Sequence, residues 1–155
     1  MITEMTAVDA AYLSSRLSKF CHKEISLISG LTAYNDIAGR IISTPGIKIS
    51  CVNKKGAPVI IAGLTLDGHI GETFIAVGED ASNRHWVEIS RAIIKITDGL
   101  LKEGHVTRLE LLCLAENPAA KSGWYEKLGF KKESDMPMKA RENTDCCMFV
   151  KLGGL

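Results

Sequence analysis

The sequence predicts a mixed α/β domain, and three stretches carry that prediction. Between residues 47 and 77, three segments of strand chemistry are separated by short turn signals. From Arg84 to Glu103, Trp86, Ile89, Ile93, Ile96 and Leu100 recur at steps of three and four, which is one buried helical stripe. Arg108 to Leu114 is then almost continuously apolar, as in a strand covered on both faces. An antiparallel meander, a helical crossover and a strand parallel to the meander's last member satisfy all three.

Each element follows from local chemistry. Ile2 to Met5 reads as a short first strand, and Thr6 as an N-cap with Asp9 three residues on. A helix is expected from Ala7 to about His22, with Leu13, Leu17 and Phe20 at helical spacing. A second should run from Thr32 to Ile42 and end at Ser43-Thr44-Pro45-Gly46. Ile47 to Val52 alternates, Asn53-Lys54-Lys55-Gly56 is a turn, and Pro58 to Leu66 is the next strand. Asp67-Gly68 is a strong hairpin signal leading into Ile70 to Val77. Gly104 closes the long helix, and a further helix is expected from Pro118 to Leu128, stopping at Gly129. Strands from Phe130 onward and from Asp145 to Leu152 complete the order β-α-α-β-β-β-α-β-α-β-β.

Composition narrows the functional classes. The 155 residues suit one domain, here residues 1–155, without linker, repeat or low-complexity stretch. Nineteen basic and eighteen acidic side chains leave a net charge of +1, which removes the general electrostatic case for nucleic acid. No apolar run approaches a bilayer span, and the start M-I-T-E-M-T has no signal core, so a soluble cytoplasmic protein is expected. Five irregularly spaced cysteines, none at zinc-ligand spacing with the four histidines, predict reduced, mostly buried thiols and no metal.

The element order, read with Asn117 and the run Trp124-Tyr125-Glu126-Lys127-Leu128-Gly129-Phe130, resembles the GNAT superfamily of acyl-CoA N-acyltransferases. The topology match covers nearly the whole chain, and the sharp match covers residues 107 to 130. The resemblance implies acetyl transfer from acetyl-CoA to a primary amine by direct attack, with no covalent enzyme intermediate. It also implies that strands 70–77 and 108–114 part, so that the cofactor's pantetheine arm pairs with free backbone groups there, Ile75 and Val77 among them. Asn117 would contact that arm, and Tyr125 would be the general acid that protonates the leaving thiolate. Glu72 resembles the carboxylate that relays the amine proton. Tyr125 follows Asn117 by eight residues where the family pattern has seven, so either the loop carries one more residue or Trp124 takes the position.

The sequence departs from the family at the start of the long helix. Where two glycines let a diphosphate approach the helix N-terminus, this chain has Glu88 and Ser90 within His85-Trp86-Val87-Glu88-Ile89-Ser90. Ser90 occupies the second glycine position, and Glu88 would repel a diphosphate. Weak or absent acetyl-CoA binding is the expectation. Two functions stay open: a GNAT-type N-acetyltransferase acting on a small-molecule or protein amine, or an inert GNAT-fold component of a bacteriophage particle, located in the virion and partnered by other assembly proteins. The phage alternative rests on small GNAT-like phage proteins that also lack the glycine pair.

Overall fold

The computed structural model describes residues 1–153. Its spine is a seven-stranded mixed sheet in the order β1-β2-β3-β4-β5-β7-β6. The strands are β1 (Ile2–Glu4), β2 (Ile47–Val52), β3 (Pro58–Asp67), β4 (Ile70–Val77), β5 (Arg108–Leu114), β6 (Lys131–Ala140) and β7 (Thr144–Leu152). β2, β3 and β4 form the expected antiparallel meander, turned at Gly56 and Gly68, both with positive φ. β4 and β5 run parallel side by side, as the crossover requires, whereas β7 pairs antiparallel with β5 and β6.

Three helices precede the meander: α1 (Ala7–Ser14), α2 (Lys19–Ser29) and α3 (Tyr34–Ser43). Thr6 and Asp9 form the capping box of α1 that their spacing predicts. The single helix expected from Ala7 to His22 is divided, and α2 continues to Ser29. Tertiary contacts impose the break: Leu17 bridges to Gly78, the Ser18 N–H bonds the Val77 carbonyl, and the Ser18 hydroxyl caps the Cys21 N–H. Gly30, at φ 80°, closes α2. The helix expected from Pro118 to Leu128 is likewise two short turns, α5 (Pro118–Lys121) and α6 (Trp124–Lys127), because Gly123 between them takes φ 80°.

The long helix α4 (Asn83–Glu103) covers one face of the sheet, burying Ile89 and Ile93 against Leu109, Leu128 and Phe130. On the opposite face Leu13 and Ile37 pack on Ile61 and Ala76. Each such fully buried aliphatic side chain contributes roughly 1.5–3 kcal/mol. The turn after α6 is fastened by Lys151 on β7, whose buried ammonium donates to the Leu128 carbonyl and the Thr97 hydroxyl, both at 2.9 Å, and pairs with Asp98. All five cysteines are buried free thiols. Among the described residues, no helix is long and apolar enough to cross a membrane.

Candidate active site

β4 and β5 part within three residues of their start. They pair at Ile70–Arg108, Gly71–Leu109 and Glu72–Glu110, and the ladder then stops. Strand alternation therefore leaves every second peptide of β4 facing a gap rather than a neighbour. Val77 shows which: its N–H meets the Cys21 Sγ at 3.3 Å and its carbonyl accepts from the Ser18 N–H at 2.9 Å, groups on α2 and at its N-cap rather than on β3. By the same alternation the N–H and carbonyl of Ile75 turn into the gap. On the β5 side, the Leu114 N–H is bonded at 2.9 Å by Glu24 of α2.

A cavity of about 540 Å³ opens from this gap toward α2 and α3. Its buried lining includes Ile37, Ile41, Ala76, Leu111 and Tyr125. Its mouth carries the exposed Arg40, Glu72 and Lys139. The structure thus brings Tyr125, Glu72 and Ile75 to one cavity, while Asn117, Val77 and Ser90 stand outside its lining. Glu72 lies opposite Glu110, whose carboxylate is held by Arg108 at 2.8 Å.

Tyr125 belongs to the core on the α4 side, packed edge-on against Phe149 at 5.2 Å, yet it reaches the cavity through the parted strands. Burial, and the nearby Glu24 carboxylate, push its phenol far above the ordinary range, so it keeps its proton. Trp124 points elsewhere: its indole N–H donates to the Ser90 hydroxyl at 2.8 Å, and its ring meets Trp86 at 4.5 Å. Gly123, between Asn117 and Tyr125, takes the αL conformation at φ 80°.

Asn117 has a structural occupation. Its side-chain oxygen caps α5 by accepting from Ala119 and Ala120, and one amide hydrogen donates to Glu24 Oε2 at 2.8 Å. Ser90 is engaged with Trp124 and with the Trp86 carbonyl. Glu88 is turned toward β1, where the Met1 amino group and Arg84 neutralise it and lower its pKa. His85 completes the cap of α4, its Nδ1 accepting from the Ser82 N–H at 3.1 Å. Among the described residues no group of His, Cys, Asp or Glu is placed to hold a metal ion.

Glu24 is the residue the sequence did not single out. Its Oε2 receives both Leu114 N–H and Asn117 Nδ2, its side chain lines the cavity, and burial raises its pKa. A helix read on to Gly30 would have placed it among Phe20, Leu27 and Ile28, one lone carboxylate on an apolar face.

No protein-family model and no curated protein sequence matches the chain. Solved structures do. An acetyltransferase of the GNAT family from Streptococcus pneumoniae superposes with a TM-score of 0.69 at 23% identity, covering 99% of both chains. A GNAT superfamily phosphinothricin acetyltransferase from Sinorhizobium meliloti, solved in complex with AcCoA, gives 0.70 at 13% identity over 99% of this chain and 88% of that one. A ribosomal-protein-alanine N-acetyltransferase from Brucella melitensis gives 0.69 at 13% identity over 98% and 99%. The chain has the GNAT fold.

Proposed function

We propose that this chain is an N-acetyltransferase that carries acetyl from acetyl-CoA to a primary amine. One observation carries the reading: the parted strands β4 and β5 join a buried phenol on one face to an amine-sized cavity on the other. Acetyl-CoA supplies the activated acyl group.

The residues present suit the acyl end of that cofactor better than its diphosphate end. Ile75 offers an N–H and a carbonyl to an extended arm, and Val77, whose backbone is already bonded to α2, would border the arm by its side chain. Asn117, bonded to Glu24 and beside the Tyr125 hydroxyl, would reach the arm only by exchanging one of these contacts. Ser90 and the first turn of α4 would meet the diphosphate without glycines, beside Trp86. Glu88 faces β1 in ion pairs, so it opposes a diphosphate less than its place in the sequence implies. Tyr125 holds a proton at its hydroxyl where a thiolate would depart, and Glu72 at the mouth would receive the amine's proton relayed outward through water.

Five buried free thiols suit a reducing, cytosol-like compartment. The reading as an inert virion component gains no support from the comparisons. Calorimetry with acetyl-CoA, followed by measurement of free CoA released in the presence of simple amines, tests the proposal. Micromolar to sub-millimolar binding with amine-dependent release is expected. No binding at millimolar cofactor would show that the fold has outlived its chemistry.

A further inference from the structure

The geometry points to Glu24 as the partner of the acceptor's ammonium, and to an acceptor with one cationic end and an apolar body. This rests on reading the cavity as the acceptor side of the proposed site. One carboxylate oxygen of Glu24 is fixed by Leu114 N–H and Asn117 Nδ2 at 2.9 and 2.8 Å. The second oxygen, Oε1, receives no hydrogen bond from the described residues, although the side chain lines the cavity. Glu24 is only partly buried, which leaves that oxygen accessible from the cavity its side chain lines. A carboxylate held by two donors from one side and bare on the other is a preset receptor for a cation, and burial makes that cation's arrival more favourable.

The surroundings limit what else the ligand can carry. Around Glu24 the cavity is apolar, with Ile25, Ile28, Ile37, Phe74 and Leu112. Glu110, the other carboxylate on this wall, accepts twice from Arg108 through Oε2 and shares that guanidinium with Glu133. At the mouth, Arg40 and Lys139 outnumber Glu72. A second ammonium at the ligand's far end would therefore have Arg40 and Lys139 to contend with as well as the carboxylates. A single ammonium at the inner end, followed by hydrocarbon, meets no such conflict.

Titration calorimetry of the full chain with hexylamine, hexanol and hexamethylenediamine, without acetyl-CoA, tests this. Hexylamine should bind at least tenfold more tightly than hexanol and at least threefold more tightly than the diamine. Glu24→Gln keeps an oxygen for both donors, so the fold should persist while hexylamine affinity falls to that of hexanol. Arg40→Glu should bring the diamine up to hexylamine or beyond, and does so independently of any change at Glu24. Equal binding of hexylamine and hexanol, no binding of either, or unchanged hexylamine affinity in Glu24→Gln would overturn the assignment. Amine binding of the expected pattern with no acetyl-CoA binding would instead remove the acetyl-transfer reading and leave this one standing.

Discussion

Tyr125→Phe separates the chemistry of the phenol from the packing of its ring. The ring is a core element, 4% exposed and in contact with Phe149 and Trp124 at centroid distances of 5.2 and 5.4 Å. Phenylalanine keeps all of that area, so the stability cost is only that of a hydroxyl beside the Asn117 amide, about 1 kcal/mol. Truncation to alanine, by contrast, would cost about 3–5 kcal/mol and confuse the result. If the hydroxyl donates a proton to the departing thiolate, its loss should reduce kcat by roughly 100- to 10,000-fold, or about 3–5 kcal/mol of barrier. Acetyl-CoA affinity should change less than twofold, because the donor acts only as the thiolate forms. The assay is steady-state release of free CoA under saturating amine, paired with calorimetry and thermal melting of the same preparation. Because burial keeps the phenol protonated well beyond the ordinary range, its loss should not remove any limb of the pH–rate profile below pH ~10. A kcat within threefold of the parent, with the fold intact, would refute the role of Tyr125.

Gly129→Ala should cost about 2–3 kcal/mol in thermal or denaturant unfolding, since φ is +95° and the new Cβ would stand 2.8 Å from the anchored Lys151 Cε. Gly56→Ala, with φ +81° and open space around it, should lose only the backbone part, and equal losses at both sites would dismiss the clash. Ser90→Ala strands the Trp124 indole N–H and should cost about 1 kcal/mol with a red-shifted tryptophan emission; an unchanged spectrum would mean that the hydrogen bond is absent in solution. Burial raises Cys21 to about 11 and Cys113 to about 12 from a starting value of 9.0. Both thiols are neutral in either state below that starting value, so their stabilisation is complete there and is lost as pH rises toward the folded values. At pH ~10 each costs on the order of 1 kcal/mol, which should lower Tm by several degrees relative to pH ~8. A flat Tm across that range would contradict the burial of these thiols.

Much of the fold was legible because periodicity and turn chemistry agree along most of the chain. The boundaries of β4 and β5 follow from the hairpin at Asp67-Gly68 and from the apolar run ending at Leu114. The break between α1 and α2 was not legible, because Leu13, Leu17 and Phe20 continue the helical spacing straight through it. What divides the helix is a long-range bond from Ser18 to Val77, which no local pattern encodes. The same cause hid Glu24, whose two donors lie 90 and 93 residues away. Gly123 was a local signal for the break between α5 and α6, outweighed by the apolar spacing on either side. The family resemblance supplied the parting of the strands, which alternation alone would not predict, since an apolar strand beside another ordinarily zips.

The first turns of α2 act as a spreader between β4 and β5. Ser18 and Cys21 occupy the free groups of Val77 on one strand, and Glu24 occupies the Leu114 N–H on the other. Each edge thus receives from the helix what it would otherwise seek from its neighbour, and the opening persists without a ligand to prop it. Weakening the spreader need not unfold the domain, because the two strands can recover their lost bonds by closing on each other. The damage would then appear as a missing cavity in a stable protein, invisible to a melting curve and plain in a binding measurement.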